Sequence, residues 1–326
     1  MSGRHTKLCI VLLNYKTPDM LIDCLESLLE EARTLSAKVV VVDNRSEDDS
    51  LPRISDWITR RAAADVVELV ASDYNGGFSF GNNLGISHID ADLYLLLNSD
   101  TIIRKDAIAT LVQHALDYPE VGLVSPRLEW LDSEPQESCF RYYRPISQLL
   151  RASSTGLIKR IFPAAEVALR VVDVDSEPEW TSFACVLIRK EVMDQIGLLD
   201  QEYFMYFEDI DYCYRARQAG WTIRNCIDAR VVHLRGGSSP VKENQSQRKR
   251  QARYYYESRT RYFFKTYGWF GLLAANVLWS AGWLIAMVRS GLQQSFQSTT
   301  CESEWRDIWI NFLSPKKPFV HPENYK

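Results

Sequence analysis

Short polar clusters follow directly on apolar runs at several points of this chain. They are, in chain order, Asn14, Asp43-Asn44 and Asn98-Ser99-Asp100. A carboxylate such as that of Asp100 can bind a divalent cation through its oxygens. Ligands of open α/β sheets bind beyond the carboxyl ends of the strands. The sequence therefore predicts a cation and ligand site at Asp100, with helix capping by this residue as the alternative.

Two adjacent acidic residues, Glu208 and Asp209, could supply a general base. They follow the aromatic-rich run 203–207 and precede a predicted helix that reaches Ala219. The helix dipole favours an ionised carboxylate at the N-terminus, and an ionised carboxylate beside a cleft can accept a proton from a reacting group. The alternative is that these residues only cap the helix.

The elements that position these residues alternate between apolar strands and amphipathic helices. Strands are predicted at 8–13, 38–42, 66–70, 93–97 and 121–125. Helices are predicted to begin near Thr17-Pro18 and Ala107, residues 127–178 to form loops and short helices, and 180–193 to resume an apolar strand. This alternation indicates an α/β fold with a mostly parallel sheet. The polar clusters would then share one edge of the sheet.

Two common phosphate-binding motifs are absent from the chain. Neither G-x-G-x-x-G after a strand nor G-x-x-x-x-G-K-[ST] occurs. A nucleoside diphosphate at this edge would need another partner for its charge, and a cation on Asp100 would supply one.

Composition narrows the class of protein. The chain has 326 residues, of which 46% are hydrophobic and 25% charged, which is ordinary for one large globular domain with or without an appendage. A net charge of -4 argues against a protein that binds nucleic acid over its whole surface, because such proteins are basic. The seven cysteines are scattered and never form C-x-x-C, which indicates reduced thiols in the cytosol and argues against disulfides and against a zinc site. The polar N-terminus carries no recognisable export signal.

Several longer motifs contain these clusters. They are I-V-L-L-N-Y (10–15), V-V-D-N-R-S (41–46), N-G-G-F-S-F-G-N-N (75–83), L-L-L-N-S-D (95–100), F-M-Y-F-E-D-I-D (204–211), A-G-W (219–221) and H-L-R-G-G-S (233–238). In this order they resemble the inverting glycosyltransferases of family 2, which have the GT-A nucleotide-diphospho-sugar transferase fold. The resemblance covers about residues 7–240 and is greatest to the bacterial rhamnosyltransferase-like branch that builds surface polysaccharides.

The resemblance implies roles for individual residues. The nucleotide-sugar site would comprise Asn14, Asp43, Gly77, Asn82 and Asn98. Asp100 would be the second acid of the family's D-x-D metal motif, binding Mg²⁺ or Mn²⁺, and His233 would reach the diphosphate or its metal. Asp209 would be the catalytic base of the E-D motif, with Glu208 as the substitute.

Two positions depart from the family pattern. Asn98 stands where the D-x-D motif has its first acid, so fewer charges would hold the metal. Phe183 follows Trp180-Thr181-Ser182, where the family usually has a glycine. A phenylalanine would crowd the acceptor pocket or re-route the loop.

The amino-acid composition changes in the C-terminal part of the chain. The sequence predicts a catalytic domain over 1–246 and a basic, aromatic, helical region over 247–326. Within the latter, residues 266–288 carry no charge, and 23 residues can span a hydrocarbon core of about 30 Å. Tryptophans and flanking basic residues also suit a helix that lies in the membrane interface. A helical hairpin buried against the protein is the third alternative.

Together these observations predict an inverting glycosyltransferase. It would move a sugar, with rhamnose suggested by the branch, from a nucleoside-diphosphate sugar to a saccharide or lipid-linked acceptor at the cytoplasmic face of the membrane, with no nucleic-acid partner. The alternatives are a sugar-1-phosphate nucleotidyltransferase and a non-catalytic carbohydrate-binding relative. The first lacks support because Asn14-Tyr15-Lys16-Thr17 is not a glycine-rich basic loop.

Overall fold

The computed structural model describes residues 5–169, 175–235, 241–293 and 295–325. Strands and helices alternate in its first part. These elements are β1 (His5–Asn14), α1 (Pro18–Thr34), β2 (Lys38–Asp43), α2 (Ser50–Arg60), β3 (Val67–Ala71), α3 (Gly77–His88), β4 (Asp90–Asn98), β5 (Thr101–Ile103), α4 (Ala107–Asp117) and β6 (Val121–Glu129). The later elements are β7 (Cys139–Phe140), α5 (Pro145–Ser153), α6 (Gly156–Ile161), β8 (Trp180–Thr181), β9 (Cys185–Arg189), α7 (Lys190–Ile196), α8 (Glu208–Gln218), β10 (Thr222–His233), α9 (Val241–Ser246), α10 (Arg253–Leu292) and α11 (Glu304–Asp307).

The main sheet has eight strands in the order β3-β2-β1-β4-β9-β6-β10-β5. Strand β1 pairs in parallel with β2 and β4, β2 with β3, and β6 with β10. The predicted mostly parallel sheet with flanking helices is therefore confirmed. Two strands run the other way: β9 is antiparallel to both β4 and β6, and β5 is antiparallel to β10.

Apolar runs without helical periodicity form the central strands because both faces of the sheet are covered. In β1, residues Ile10, Val11 and Leu12 are all fully buried, so side chains pointing to either face are shielded from water. Helix α1 covers one face with the predicted apolar stripe, whose members are also fully buried: Leu21, Cys24, Leu25, Leu28 and Leu29. The hydrophobic core thus holds the carboxyl ends of the strands in fixed register.

The prediction of one apolar strand over 180–193 is wrong in part. The segment forms two short strands, β8 and β9, and then helix α7. Strand β9 is buried because it lies between β4 and β6. From Lys190 the burial pattern changes: Lys190 and Glu191 lie towards solvent while Val192 and Met193 are buried, which is the periodicity of a helix rather than a strand.

The chain divides into two compact units. The first comprises Met1–Phe140, Leu169–Gln201 and Asp209–Ser238, and contains the eight-stranded sheet. The second comprises Arg141–Ala168, Glu202–Glu208 and Ser239–Lys326. The whole of the predicted C-terminal region, 247–326, falls within the second unit, while the predicted domain boundary after residue 246 stays a prediction.

The second unit is organised around α10, which is kinked at Gly268 (φ 68°, ψ -169°). One face packs on α5, where Gly282 lets the helices approach so closely that a Cβ there would lie 2.6 Å from the Leu149 carbonyl oxygen. By length and composition alone, α10 is the one helix among the described residues that could cross a membrane.

Two members of the predicted basic stretch are buried. Arg259 is 1% exposed and donates to Gln148 Oε1 and Asn276 Oδ1, and Arg261 is 8% exposed and pairs with Glu202. These arginines therefore stabilise the second unit and do not face a membrane surface.

Candidate active site

Asn14 and Asp43 end two neighbouring parallel strands and pair in register. Both are buried, and Asn14 Nδ2 donates to Asp43 Oδ2 at 2.7 Å. Ser46 fixes the same carboxylate, because its backbone N–H donates to Oδ1 at 2.9 Å and its hydroxyl donates to Oδ2 at 2.6 Å. The Ser46 hydroxyl in turn accepts from Asn14 Nδ2 and from the Lys16 backbone N–H. The carboxylate predicted to contact the nucleoside is thus held in one orientation.

The N-G-G motif (75–77) lies next to this pair and is joined to it through Asn44. Asn44 Nδ2 donates to Asn75 Oδ1 at 2.9 Å and to the Gly77 carbonyl at 3.1 Å, while the Gly77 N–H donates to Asn75 Oδ1. Gly77 has φ +81°, a conformation that favours glycine. The Asn44 side-chain oxygen is buried and has no hydrogen-bond partner among the residues that the structure describes. Asn44 belongs to the polar cluster predicted at this edge, although no individual role was predicted for it.

Asn82, predicted to bind the nucleotide sugar, lies inside α3. Its side chain is buried, and Nδ2 donates to the Phe78 carbonyl at 2.9 Å within the same helix. Its neighbour Asn83 instead reaches across the fold, exchanging two hydrogen bonds with the backbone of Leu199. A role for Asn82 in donor binding stays a prediction.

Asp100 and His233 lie side by side although 133 residues separate them in sequence. They are adjacent because β5 and β10 are antiparallel neighbours with His233 opposite Thr101, and the Leu234 N–H donates to the Asp100 carbonyl. His233 Nε2 lies 3.4 Å from Asp100 Oδ1, and both side chains are buried. The structure thus brings these two predicted site residues together, and their shared role stays a prediction. Asn98, at the end of β4, is half-buried.

The Asp100–His233 pair fits a divalent cation. A carboxylate and an imidazole are both metal ligands, and their atoms at 3.4 Å are close to the separation of neighbouring ligands on one ion. Nδ1, the other ring nitrogen of His233, is buried and has no hydrogen-bond partner in the described part of the chain. Asp100, His233 and the nearby Asn98 are the residues that would hold the ion.

Thr17 links the two halves of this edge. It precedes α1, as predicted, but its hydroxyl does not cap that helix. It contacts Ser99 Oγ at 3.1 Å and Asn14 Oδ1 at 3.4 Å. The carboxyl ends of β2, β1 and β4 therefore form one continuous polar edge, from Asp43 to Asp100.

Gln136 organises the region around His233, and nothing in its sequence context indicated this. The side chain is buried, and Nε2 donates to the carbonyls of His233 at 2.7 Å and Glu129 at 3.0 Å. Its oxygen accepts from Arg235 Nε. The Arg235 guanidinium also lies over the Trp130 ring, 5.2 Å from the centroid.

Arg235 places a cation near the Asp100 carboxylate. Burial lowers the pKa of Arg235, while the charges of Glu137 and Asp100 oppose that shift. The residue belongs to the H-L-R-G-G-S motif, so its position was visible in the sequence, although no role was predicted for it. Gly236, Gly237 and Ser238 of the same motif lie outside the described residues.

Glu129 supports the strands that carry Asp100 and His233. Its side chain is fully buried at the end of β6, and its two oxygens accept from Arg104 Nε at 3.0 Å and Arg230 Nε at 2.8 Å. Arg104 follows β5 and Arg230 lies in β10. The ion pairs therefore join β5, β6 and β10.

Glu208 and Asp209 begin α8, as predicted. Glu208 is buried, whereas Asp209 is half-buried and its Oδ1 accepts from the Ile210 N–H at 2.8 Å. Two residues later, Asp211 pairs with Arg215, and that guanidinium donates to the carbonyls of Ile196 and Leu198. The helix that carries Asp209 is thereby joined to the preceding loop.

Phe183 is accommodated in the protein interior. It is 3% exposed, and its ring meets that of Tyr212 on α8 edge-to-face with 6.0 Å between the centroids. The bulky side chain at this departure from the family pattern thus packs against the helix that carries Asp209.

Comparison with known proteins agrees with this fold. Residues 5–256 match the model of "Glycosyltransferase like family 2". The low-salt glycan biosynthesis hexosyltransferase Agl10 of Haloferax volcanii is 29% identical over 232 residues, which cover 69% of this chain and 66% of that protein. The N-acetylglucosaminyl-diphospho-decaprenol L-rhamnosyltransferase of Mycobacterium tuberculosis is 26% identical over 153 residues, covering 45% and 48% of the two chains. The chain thus spans less than two thirds of the length of these relatives.

Among solved structures, the chain is similar to the mannosyltransferase PcManGT from Pyrobaculum calidifontis in complex with GDP-Man and Mn²⁺. The TM-score is 0.58 at 14% identity, over 95% of this chain and 85% of that one, which confirms the predicted GT-A fold. The family model covers more than half of the chain, and the curated relatives are named hexosyl- and rhamnosyltransferases. The chain therefore belongs to glycosyltransferase family 2.

Proposed function

We propose that this protein transfers a sugar from a nucleoside-diphosphate sugar to a hydroxyl group of a saccharide or lipid-linked acceptor, with inversion at the anomeric carbon. One observation carries the proposal: the Asn14–Asp43 pair and the Asp100–His233 pair lie on one polar edge of the sheet. The first pair offers an oriented carboxylate to a nucleoside, and the second offers ligands for a cation beside a diphosphate. The names of the Mycobacterium and Haloferax relatives support a lipid-linked acceptor and rhamnose or another hexose as the sugar.

The chain's own residues supply binding, orientation and proton transfer. Asp43 and Asn14 hold the nucleoside, with the buried Asn44 oxygen as a further acceptor. Asp100, His233 and Asn98 would hold Mg²⁺ or Mn²⁺, which when bound neutralises charge on the departing diphosphate. Arg235 adds a fixed cation close to Asp100. Asp209 accepts the proton of the acceptor hydroxyl, which then attacks the anomeric carbon opposite the diphosphate.

The direct test is a binding and hydrolysis screen. Purified protein would be titrated with UDP, dTDP and GDP by calorimetry, with and without Mn²⁺ or Mg²⁺, and then incubated with the matching nucleotide sugars. We expect one nucleotide to bind, more tightly with metal, and its sugar to be hydrolysed slowly. The Asp100→Asn variant should lose the metal dependence. Binding without any turnover would support the non-catalytic alternative, and equal affinity with and without metal would remove Asp100 from its role.

We propose further that the second unit binds a membrane surface through the outer face of α10. Large apolar side chains recur there at helical spacing and are 42–90% exposed: Phe270, Leu273, Val277, Leu284 and Val288. The opposite face is buried, with Leu272, Ala275 and Trp279 fully covered. A helix with one face packed on protein and the other apolar face open suits an interfacial orientation rather than a span.

Tryptophans and lysines accompany this face. Trp269, Trp305 and Trp309 are each at least 39% exposed, and the rings of Trp269 and Trp309 both contact Phe312. Lys316 and Lys317 are exposed nearby in sequence. Such residues favour the boundary between lipid headgroups and acyl chains. A lipid-linked acceptor on the cytoplasmic face would be consistent with this attachment.

A further inference from the structure

A second set of metal-ligating side chains lies in the first unit, on residues that the proposed reaction does not use. His114 lies in the last turn of α4, Cys226 in β10, and Asp175 in the segment before β8. One ligand atom from each lies within 4.8 Å of the other two. The sequence argued against zinc because no C-x-x-C occurs, but three distant segments bring these residues together in the fold.

His114 is the part of this set that most needs a partner. Its side chain is 8% exposed, and Nε2 is buried without a hydrogen-bond partner among the described residues. Nδ1 lies 3.9 Å from Asp175 Oδ2, too far for a hydrogen bond. The ring is fixed by Tyr118, with 4.7 Å between the ring centroids. Nε2 is thus a buried polar atom whose lack of a partner is costly. Nδ1, the ring nitrogen nearer to Asp175, makes no hydrogen bond with the described residues and can bind an ion there.

The other two side chains are oriented by an irregularity in β10. The register of β10 against β6 shifts between Cys226 and Arg230, which frees backbone N–H groups in that stretch. The Ile227 N–H donates to Asp175 Oδ1 at 2.9 Å, leaving Oδ2 on the side of His114. Cys226 is 3% exposed and is a free thiol.

We propose that His114, Asp175 and Cys226 bind a zinc ion that joins the end of α4 to the irregular stretch of β10. Sulfur, imidazole and carboxylate are the usual zinc ligands, whereas Mg²⁺ and Mn²⁺ prefer oxygen. Ligand atoms 2.0–2.3 Å from a tetrahedral ion lie roughly 3.3–3.8 Å apart. The three atoms, which lie within 4.8 Å of one another, would therefore close by up to about 1 Å around the ion. Three protein ligands leave the fourth position to water. The ion stabilises β10, the strand that ends at His233.

Cobalt titration tests this site separately from the proposed donor site. Full-length protein would be stripped with chelator, reduced, and titrated with Co²⁺ in excess Mg²⁺, which occupies oxygen-rich sites. We expect one equivalent of Co²⁺ to give a thiolate-to-cobalt charge-transfer band, and Zn²⁺ to abolish the band. Zn²⁺ should raise Tm by roughly 5–10 °C at a hundredfold excess over its Kd. The absence of the band in the wild-type protein would overturn the proposal.

Matched variants locate the ion. Cys226→Ser and His114→Gln should remove the band, while Cys139→Ser, at a cysteine outside the set, and Asp100→Asn, in the proposed donor site, should keep it. A band that survives Cys226→Ser, or one that is lost in Asp100→Asn, would contradict the assignment. If the Cys226 variant fails to fold, alkylation of wild-type protein gives the answer. Zn²⁺ should slow the labelling of Cys226 at least tenfold and leave Cys139 unchanged, and equal labelling rates at Cys226 would reject the site.

Discussion

Asn14 donates a 2.7 Å hydrogen bond to Asp43, and the two residues stand opposite each other on neighbouring parallel strands. The bond lies at the carboxyl ends of β1 and β2, where Ser46 closes the turn on the same carboxylate. A carboxylate oriented in this way can accept hydrogen bonds from a nucleoside without first being reorganised, which lowers the entropic cost of binding.

We expect Asp43→Asn to weaken nucleoside-diphosphate binding by about 10- to 100-fold. Asparagine keeps the shape but loses the charge, and a hydrogen bond to a charged group contributes about 1.5–3 kcal/mol. Calorimetry measures the change. Ser46→Ala is the matched control, because it removes a group that holds the carboxylate but not the carboxylate itself, and its effect should be smaller. If the two variants lose affinity equally, the pair is structural and Asp43 does not contact the nucleoside.

Asp209→Asn should lower kcat by a factor of about 10²–10⁴, the usual contribution of a general base. This corresponds to about 3–5 kcal/mol in the barrier. Asparagine can still accept the Ile210 N–H bond, so donor affinity and Tm should barely change. Steady-state kinetics of sugar transfer measure the effect. Near-normal turnover of Asp209→Asn would contradict the assignment of Asp209 as the general base. Glu208→Gln would then show whether the neighbouring acid is the base.

Gly85→Ala should destabilise the first unit by about 1–2 kcal/mol. A Cβ at this position would lie 2.4 Å from Val11 Cγ1 on β1, and overpacking of this kind usually costs more than alanine gains in helix propensity. Urea unfolding measures the loss, and adding Val11→Ala should restore part of it. Gly156→Ala, where a Cβ meets nothing within 4 Å, is the control and should be neutral or stabilising. Equal stability of wild type and Gly85→Ala would show that β1 and α3 do not pack this closely.

Stability should fall as the pH rises above about 9. Burial raises the pKa of Cys9 and of Cys24 to about 12, and it also raises the pKa of Cys185 and Cys213. The folded state therefore keeps protons that the unfolded state releases above its own pKa near 9. Each such thiol costs up to about 1.4 kcal/mol of unfolding free energy per pH unit.

Urea unfolding at pH 8, 9 and 10 measures this slope. Cys24→Ala is the control: it is less stable at pH 8 but should have a slope shallower by up to about 1.4 kcal/mol per pH unit. An unfolding free energy that stays flat from pH 8 to pH 10 would contradict the burial of these thiols.

The double variant Phe270→Glu, Val277→Glu should release the protein from anionic vesicles. Each substitution removes about 2 kcal/mol of apolar burial, so partitioning should fall by a factor of about 100 or more. Flotation measures the bound fraction. Leu116→Glu is the control, because it makes the same kind of apolar-to-acidic change once, at a leucine of α4 that is 62% exposed and outside α10. Loss of binding in this control, or a wild-type protein that does not float, would refute membrane attachment through α10.

The local features of the fold could be predicted from the sequence. Apolar runs such as 93–97 predicted strands because a strand buried on both faces needs side chains of one class throughout. Asp43 and Asp100 stood out because a carboxylate directly after such a run must lie at the strand's end. The helix after Glu208 was found from its apolar spacing and acidic start.

Contacts between distant segments could not be predicted in this way. Gln136 resembles any loop glutamine until the fold brings the His233 carbonyl to it. Arg259 resembles a surface residue until Gln148 and Asn276 surround it. The set of His114, Asp175 and Cys226 has no sequence signature because its residues come from a helix, a loop and an irregular strand. In each case the burial and contacts of the residue depend on a segment that is distant in sequence, and not on the residue's own neighbours along the chain.

The antiparallel strand β9 has a consequence for how the sheet assembles. Strands β1, β2 and β3 pair with their neighbours in sequence, and β4 then pairs with β1, so these four strands can assemble from the first 98 residues alone. Strand β4 meets β6 only through β9, which follows it by some 90 residues along the chain. During synthesis the β4 edge therefore remains unpaired until Cys185–Arg189 has emerged from the ribosome. For that interval the nascent chain carries an open apolar edge, the kind of surface that chaperones protect from aggregation.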